Sequence, residues 1–388
     1  MGTLDPTLIQ RKKTMKFTVD RTLLQRALAH IHSVAEKRNT IPILANVLLN
    51  FEGSTLRLTA TDMEIAVVEE IAAEGPTPGS TTVPASVLFE IVRKLPDGIS
   101  IEFNHPESDA PLKLQAGRYA TNLNVLPVDD FPAMVAGDLP HRFVVPAATL
   151  KGLIDRTKFA ISTEETRYYL NGIYFHVAGS GPASTLRAVA TDGHRLARVE
   201  ADVPAGAENM PGVIIPRKTI GELRKLLDEG AADIEISLSE TRIQFGAGPV
   251  LLTSKLIDGT FPEYERVIPK GNDRLLRVGK KDFAASVARV AAISTERSRP
   301  IKLSLTTNLL TLSAISPDQG VAQEELDENT VTYDAPPIEI GFQARYLTDI
   351  TDQIDVEVEF AFADSAAPTL VRDTGFPSAL YVLMPMRV

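Results

Sequence analysis

The chain contains one short stretch of sequence three times, at long and nearly equal intervals. Residues 58–62 read Leu-Thr-Ala-Thr-Asp, residues 188–192 read Ala-Val-Ala-Thr-Asp, and residues 312–316 read Leu-Ser-Ala-Ile-Ser. The copies lie roughly 125 to 130 residues apart, far more than the roughly 20 to 50 residues of a solenoid repeat. Each copy ends a strand-like run that follows a helical pattern. The repetition therefore predicts three successive domains of similar fold.

A second set of markers repeats in step with the first. Asp-Phe-Pro at residues 130–132 returns as Thr-Phe-Pro at residues 260–262. Proline-containing stretches near residues 139–141 and 269–271 are typical of linkers. The stretch before residue 15 has basic side chains but lacks the apolar run of a secretory signal. We predict a disordered leader, whose origin the sequence leaves open, and three domains, at residues 1–14, 15–140, 141–269 and 270–388.

Each predicted domain contains two helical patterns separated by strand-like runs. Apolar residues recur at i, i+3 and i+4, which places them on one helical face. The stripes are Leu24, Leu28 and Ile31; Val87, Leu88, Ile91, Val92 and Leu95; Leu150, Leu153 and Ile154; Ile220, Leu223, Leu226 and Leu227; Phe283, Val287 and Val290; and Tyr346, Leu347 and Ile350. Asp20 and Thr149 are the predicted N-caps. Alternating runs such as residues 99–103 predict half-buried antiparallel strands, so the predicted fold class is α+β.

The charges are unevenly distributed along the chain. A net charge of -10 by itself argues against nucleic-acid binding. Basic residues nevertheless concentrate in the six helical segments, whereas the acidic pairs at residues 69–70 and 324–325 lie elsewhere. A layer of such helices could bind phosphate. The alternative is that these are ordinary solvated helix faces.

Helix dimensions limit any ring that such helices could line. Helices pack roughly 8 to 10 Å apart, so a ring of six would leave a hole of roughly 9 Å, too narrow for duplex DNA. A ring of twelve would leave a hole of roughly 28 Å, which admits a duplex with surrounding water. A ring around DNA that is built from this chain would therefore be a homodimer.

The sequence lacks the common patterns of catalytic and metal sites. There is no cysteine, which excludes disulfides and thiolate sites and is typical of a reducing cytosol. We expect no metal and no cofactor, because neither a His-x-x-x-His pair nor a phosphate-binding loop occurs. No apolar run has the length of a transmembrane helix, so we expect no membrane association.

Residues 192–195 read Asp-Gly-His-Arg, and Asp and His occur together in catalytic triads. No Gly-x-Ser-x-Gly elbow accompanies them, and the sister copy continues with Met63 and Glu64 instead. We interpret the stretch as a turn, which either forms the rim of a binding site or is purely structural. We therefore expect no catalytic residue and no enzymatic activity.

Six longer stretches resemble the bacterial DNA polymerase III beta subunit family, the beta sliding clamps. Three of them are Arg-Tyr-Tyr-Leu-Asn-Gly at residues 167–172, Ala-Thr-Asp-Gly-His-Arg-Leu-Ala at residues 190–197 and Tyr-Val-Leu-Met-Pro-Met-Arg at residues 381–387. The others lie at residues 15–19, 213–218 and 253–262. The resemblance covers residues 15–388. It implies the DNA clamp fold, in which three similar domains form half of a closed, head-to-tail dimeric ring.

The resemblance also implies the partners and the residues that meet them. A clamp encircles duplex DNA without sequence specificity, and it binds the replicative polymerase, the clamp loader and repair polymerases through short peptides. The implied peptide-groove residues are Leu170, Thr191, Gly193, His194, Arg195, Leu196, Pro262, Arg266, Val267, Val382, Leu383, Met384, Pro385, Met386 and Arg387. The implied DNA contacts are Arg38, Tyr168, Tyr169, Arg217 and Lys218. We expect the dimer contact near Thr121, Leu123, Ala292 and Ile293.

Two stretches depart from the family pattern. Ser86 and Val87 stand where basic residues are common, which puts one DNA contact in doubt. Residues 320–323 read Gly-Val-Ala-Gln where an acidic run is typical, which weakens the expected charge pairing between protomers. The sequence-based function is a DNA sliding clamp and processivity factor in the cytoplasm. The alternative is an acidic peptide-binding scaffold that does not encircle DNA.

Overall fold

The computed structural model describes residues 14–35, 40–107, 110–132, 134, 137–228, 230–293 and 300–388. Within these residues the chain forms six α-helices, two in each predicted domain. They are α1 (Arg21–Ile31), α2 (Ala85–Lys94), α3 (Ala147–Asp155), α4 (Arg217–Leu227), α5 (Lys280–Ala291) and α6 (Ala344–Thr351). Each helix overlaps one of the six predicted apolar stripes, so the helix predictions are confirmed.

The helix starts follow from local chemistry. Asp20 Oδ1 accepts hydrogen bonds from the backbone N–H groups of Thr22 and Leu23 at 2.8 and 3.1 Å, which confirms Asp20 as the N-cap of α1. The N-cap prediction for Thr149 is wrong, because α3 begins earlier, directly after Pro146. Proline has a fixed φ and no N–H, so it is compatible with a helix start but not with a helix interior.

The strands of the first predicted domain are β1 (Met15–Asp20), β2 (Asn46–Glu52), β3 (Thr55–Thr61), β4 (Ile65–Ala72), β5 (Glu74–Thr77), β6 (Gly79–Pro84), β7 (Ser100–His105), β8 (Leu112–Ala116) and β9 (Tyr119–Leu123). Those of the second are β10 (His141–Pro146), β11 (Gly172–Ala178), β12 (Thr185–Thr191), β13 (Arg195–Asp202), β14 (Val213–Pro216), β15 (Asp233–Leu238), β16 (Arg242–Ala247) and β17 (Val250–Lys255). Those of the third are β18 (Arg274–Gly279), β19 (Pro300–Thr306), β20 (Leu309–Ser316), β21 (Gly320–Leu326), β22 (Val331–Tyr333), β23 (Ile338–Gln343), β24 (Glu357–Phe362), β25 (Thr369–Asp373) and β26 (Phe376–Leu383).

The chain divides into two compact units, Met1–Val144 with Gly221–Lys255 and Val145–Ile220 with Leu256–Val388. The first unit contains a five-stranded sheet in the order β5-β1-β7-β8-β9 and nearly all of a sheet in the order β10-β15-β16-β17-β4-β3-β2-β6. The second contains sheets in the orders β14-β11-β12-β13-β26-β25-β24-β18-β22 and β21-β20-β19-β23. Helix α1 packs against α2, and α5 against α6. Helices on antiparallel sheets confirm the α+β class.

Strand pairing crosses the predicted domain boundaries. Strand β17 of the second predicted domain pairs with β4 of the first, from Val250↔Glu69 to Ser254↔Ile65. Strand β13 pairs with β26 of the third predicted domain over five residue pairs. Main-chain hydrogen bonds therefore join neighbouring repeats, and the three-domain division stays a prediction from sequence repetition.

The repeated Thr-Asp word forms the same turn in two of its copies. Thr191 Oγ1 donates to the carbonyl of Arg195 at 2.7 Å. Asp192 Oδ1 accepts from the N–H groups of His194 and Arg195 at 2.9 and 3.0 Å. Residues 61–65 make the corresponding hydrogen bonds in the first copy. The Asp-Gly-His-Arg stretch is therefore a turn, here between β12 and β13.

Candidate functional site

A cavity with a volume of about 310 Å³ opens in the second unit, where β12 turns into β13. This volume lies at the lower end of the roughly 300 to 1,000 Å³ that is typical of ligand sites. We term the cavity the groove. Its lining residues are Arg167, Tyr169, Leu170, Thr191, Gly193, His194, Arg195, Leu196, Pro262, Glu263, Tyr264, Val267, Val382 and Met384.

The floor of the groove belongs to a buried apolar cluster. Leu170, Leu196 and Val382 are only 4%, 2% and 2% exposed and pack in one cluster. Leu196 and Val382 lie side by side as a registered pair of β13 and β26. Because successive strand residues point to opposite faces, Val382 reaches the groove, whereas Leu383 is buried outside its lining.

The rim requires glycine at residue 193. Gly193 has a φ of +89°, a conformation that residues with a Cβ rarely adopt. A Cβ at this position would lie 2.6 Å from Arg167 Nη1. Arg167 is in turn held by an ion pair with Glu164 at 2.7 Å. Gly193 therefore lets an arginine side chain cover the turn and complete this side of the groove.

Arg195 lies beneath the rim rather than on it. Its side chain is 6% exposed and forms ion pairs with Asp192, at 3.1 Å, and with Asp349. Its Nη2 donates to the carbonyl of Phe159 at 2.6 Å. The guanidinium carbon lies 4.6 Å from the ring centroid of Tyr346 and 5.1 Å from that of Phe159. Arg195 therefore acts as a buried bridge between the β12–β13 turn and α6, and His194 forms the rim.

Tyr264 forms a wall of the groove and is anchored from behind. Arg187 Nη1 donates to its hydroxyl oxygen at 3.0 Å, and His176 Nε2 lies 3.1 Å from the same oxygen. Burial raises the pKa of Tyr264, so its hydroxyl stays protonated. Burial, together with the positive charge of Arg187, lowers the pKa of His176 to about 4, so the imidazole is neutral at pH 7.

The C-terminal tail is hydrogen-bonded on one side to the β12–β13 turn and on the other to strand β23. The N–H of Met384 donates to the carbonyl of His194, and that of Met386 to the carbonyl of Gly341, both at 2.9 Å. Strand β26 ends before Pro385, which has no N–H to donate. From Pro385 the sequence also predicts that residues 382–388 lie along the surface, and this prediction is wrong for Val382 and Leu383, which belong to a strand inside the sheet.

The structure brings most of the predicted groove residues together. Those outside the lining are Arg266, Leu383, Pro385, Met386 and Arg387. The Arg266 side chain is 79% exposed and pairs with Glu263. Four lining residues were not predicted for the groove: Arg167, Tyr169, Glu263 and Tyr264. Their nearness to the repeated Phe-Pro word, or to the Tyr-Tyr-Leu stretch, is the sequence signal that could have indicated them.

The predicted DNA contacts lie in several places. Arg38 is outside the described residues. Arg217 and Lys218 are exposed at the start of α4, and Tyr168 is 53% exposed. The ring of Tyr169 lies 5.8 Å from that of Tyr168 and lines the groove. Of the predicted DNA contacts that the structure describes, Tyr169 is the one that also lines the groove.

The predicted dimer contacts lie in or beside segments at sheet edges. Thr121 is half-buried and Leu123 is 5% exposed in β9, an edge strand of the five-stranded sheet. Ala292 is exposed and Ile293 half-buried directly after α5. A Cβ on Gly320, at the start of edge strand β21, would lie 3.9 Å from Ile293 Cδ1.

An apolar floor with a polar rim is suited to binding rather than to bond-making chemistry. Leu, Val, Pro and Met side chains can bury apolar groups of a short peptide, and Met adapts to ligands of varied shape. No group of three or more His, Cys, Asp or Glu side chains within the described residues is placed to hold a metal ion. None of the helices in these residues is long and apolar enough to cross a membrane.

Comparisons with known proteins agree along the whole folded length. Three profiles match: the N-terminal, central and C-terminal domains of the DNA polymerase III beta subunit, at residues 15–135, 144–263 and 265–387. The Beta sliding clamp of Caulobacter vibrioides (strain NA1000 / CB15N) is 49% identical over 375 residues, which cover 96% of this chain and 100% of that protein.

Solved structures give the same result. The C. crescentus beta sliding clamp, with polyethylene glycol bound to a putative beta-motif tethering region, is 49% identical and superposes with a TM-score of 0.94. The sliding clamp from Bartonella birtlesii bound to griselimycin is 48% identical, with a TM-score of 0.93. Each match covers 97% of this chain and 100% of the solved chain.

Proposed function

Because the chain belongs to the DNA polymerase III beta subunit family and is a DNA sliding clamp, not an enzyme, we propose specific roles for its groove, its sheet edges and its helices. Two copies, each with domains at residues 15–140, 141–269 and 270–388, close into a ring. Duplex DNA passes through the ring without sequence-specific contact. The replicative polymerase, the clamp loader and repair polymerases dock in the groove, and the ring works in the cytoplasm.

The groove assignment is carried by one observation, an apolar floor that is already formed beneath an open cavity. Leu170, Leu196 and Val382 need no rearrangement to receive a ligand. Val267 and Met384 are 51% and 41% exposed at the edge, so a bound peptide would cover apolar surface that now faces water. Similar clamps have been solved with griselimycin bound. We propose that griselimycin binds to this chain in the groove.

Two edge strands support the head-to-tail dimer. Among the described strands, β9 is the last of the five-stranded sheet and β21 of the four-stranded sheet, so each pairs on one side only. An exposed edge is a template for pairing with another chain. Tyr119 on β9, Ile315 on β20 and Val321 on β21 are 41%, 71% and 65% exposed. We propose that β9 of one protomer meets β21 of its partner and that these apolar side chains are covered there.

The charges near β21 fit an apolar contact between protomers. Glu324 is paired within its own chain, with Arg289 at 2.5 Å and with Ser286 Oγ at 2.7 Å. The Arg289 hydrogen bond is the main reason that the pKa of Glu324 is lowered to about 2. This carboxylate therefore stays ionised and is already paired within its own chain. Contact between protomers then depends more on apolar burial than the family pattern implies.

Many helical cations are paired with neighbours in their own chain. Arg21 is 8% exposed and donates to the carbonyls of Val92 and Arg93. Arg93 of α2 pairs with Glu90 at 2.8 Å. A clamp that retains DNA by encircling it needs only few, mobile phosphate contacts. We propose that the exposed Arg217 and Lys218 supply such contacts, together with Arg38 and Tyr168.

Retention on circular DNA tests the ring. The protein is loaded onto a nicked plasmid and separated from free protein by gel filtration, before and after the plasmid is cut once. A ring stays on the circle and slides off the linear molecule. Equal retention on both would contradict encirclement, and so would a monomer mass in light scattering. Replacing Arg217 and Lys218 by Ala should weaken loading to a similar extent on plasmids of different sequence.

A further inference from the structure

One wall of the groove is a segment with little main-chain support. Residues 261–267 contribute Pro262, Tyr264 and Val267 to the lining. Among the described residues, the main-chain hydrogen bonds of this segment are internal, from Tyr264 to Pro262 at 2.7 Å and from Arg266 to Glu263 at 3.1 Å. No strand ladder therefore holds the wall in place, and its position depends on side-chain contacts.

Phe261 and Tyr264 of this segment pack in the apolar cluster of the floor, and polar side-chain contacts from Tyr264 and Glu265 lead to Arg187 on β12. Arg187 is 16% exposed at its side chain and donates to the Tyr264 hydroxyl at 3.0 Å. It also forms an ion pair with the carboxylate of Glu265, the next residue of the segment. On its other side, Arg187 Nε lies 2.7 Å from Glu200 on β13. One guanidinium thus connects two adjacent wall residues to the sheet that carries the groove floor.

Arginine is suited to this connection. Its planar group has N–H donors in a rigid fork, so Nη1 donates to the Tyr264 hydroxyl and to Glu265 while Nε faces Glu200 as an ion pair, an arrangement that a lysine ammonium reproduces less well. The Tyr264 hydroxyl accepts from Arg187, and His176 Nε2 lies 3.1 Å from the same oxygen. Arg187 itself is not in the groove lining, so a ligand in the groove would not contact it.

We propose that Arg187 is a positioning residue for ligand binding. It holds Tyr264 and Glu265, and thereby keeps Pro262 and Val267 at the correct distance from the groove floor before a ligand arrives. Without Arg187 the wall samples other positions, and only a fraction of molecules presents a complete groove. The apparent affinity is the intrinsic affinity multiplied by that fraction, so it is about tenfold weaker if one molecule in ten stays competent.

The kinetics of binding separate positioning from contact. This inference rests on the proposed groove, and griselimycin is the probe. For Arg187→Met we expect an association rate constant lower by about tenfold and a nearly unchanged dissociation rate constant, because only the competent fraction can bind. Surface plasmon resonance gives both constants. A changed dissociation rate constant at an unchanged association rate constant would overturn the proposal.

A matched control uses the neighbouring arginine of β13. Arg198 also approaches Glu200, at 3.4 Å, and its side chain is 20% exposed, similar to Arg187. It acts on Tyr264 through its charge, but among the described residues no hydrogen bond or ion pair joins it to residues 261–267. Arg198→Met should bind griselimycin as the unmodified protein does. An equal loss of association rate in both variants would show a general effect of removing a buried cation, and the assignment to Arg187 would fail.

A second variant keeps the test valid if Arg187→Met folds poorly. Tyr264→Phe retains the ring in the wall and removes only the hydroxyl that Arg187 holds. It should slow association in the same way, and the double variant should lose less than the two single losses combined, because both remove one contact. Fully additive losses would contradict the proposal. If the unmodified protein fails to bind griselimycin, or if Met384→Ala has no effect, the groove assignment fails instead.

Discussion

Arg195 and Asp349 form an ion pair across 154 residues of sequence, which joins the turn after β12 to helix α6. We expect Arg195→Met to lower the free energy of unfolding by about 2 kcal/mol, measured by urea denaturation. The loss is moderate because the stranded carboxylates of Asp192 and Asp349 are 18% and 26% exposed and regain water. Griselimycin affinity should fall as well, since His194 loses its support.

Asp349→Asn is the matched control for this bridge. Asparagine keeps the shape and an acceptor oxygen, so its cost should be clearly smaller than that of Arg195→Met. An Arg195→Met protein that is as stable as the unmodified chain would show that the bridge contributes nothing to stability.

The two tail methionines should behave differently. Met384 lines the groove, whereas Met386 is half-buried against Gly341 and lies outside the lining. We expect Met384→Ala to weaken griselimycin binding by about 1 to 2 kcal/mol, because less apolar surface is left to cover. Met386→Ala should have a much smaller effect. Isothermal titration calorimetry measures both, and equal effects would contradict the groove boundary.

Removal of residues 384–388 gives a stronger form of the same test. The deletion should weaken binding of griselimycin and of a polymerase tail peptide by at least about 2 kcal/mol, the scale of an interface hot spot. Dimer mass and melting temperature should stay near those of the full chain. If the shortened protein binds both ligands at full strength, the tail is not part of the binding site.

Two glycine substitutions should have opposite signs. Gly193→Ala places a Cβ 2.6 Å from Arg167 Nη1 at a φ of +89°, so we expect a loss of about 1 kcal/mol or more in stability. Gly221 lies inside α4, with nothing within 4 Å of an added Cβ. Gly221→Ala should stabilise by about 0.5 to 1 kcal/mol, since glycine weakens a helix interior. Thermal melting measures both effects. A Gly193→Ala protein that melts at a higher temperature than the unmodified chain would contradict the predicted clash of the Cβ with Arg167.

His176 should make the protein sensitive to acid. Its pKa falls from 6.5 in the unfolded chain to about 4 in the folded protein, first because it is buried and then because Arg187 is near. Between pH 6.5 and 4 the unfolded chain therefore binds more protons, and stability decreases as the pH falls through this window. In His176→Gln the melting temperature should depend less on pH between pH 6.5 and 4. The same pH dependence as in the unmodified protein would contradict the burial argument.

The ring contact should tolerate salt. If β9 and β21 meet through apolar side chains, the dimer mass should persist in roughly 1 M NaCl, because salt screens ion pairs but does not weaken apolar burial. Val321→Glu should favour monomers. Val356→Glu is the control, because Val356 is equally apolar and 71% exposed but lies far from the proposed contact. Its carbonyl accepts from the N–H of Lys280, at the start of α5, whereas Ile293 follows the end of α5. Static light scattering measures the mass, and a salt-sensitive dimer would contradict an apolar contact.

Local patterns explain what could be predicted. The apolar stripes indicated all six helices of the described residues, and the repeated Thr-Asp word indicated a turn between strands. Leu170, Leu196 and Val382 came from the family resemblance, and the structure brings them together as a buried floor. The error at Thr149 is also local. A side chain that can cap a helix was preferred over Pro146, whose backbone restrictions place the helix start.

The sequence by itself determined the repetition, the helices, the α+β class and the family, because periodicity and motif words are written in neighbouring residues. Only the tertiary structure decided which arginine faces solvent and which is buried. Nothing in the sequence marks Arg187 or Arg195 as buried, yet one anchors Tyr264, 77 residues away, and the other Asp349, 154 residues away. Such pairs depend on how folding packs helix α6 and residues 261–267 against distant strands, and a buried charge persists only where that packing supplies its partner.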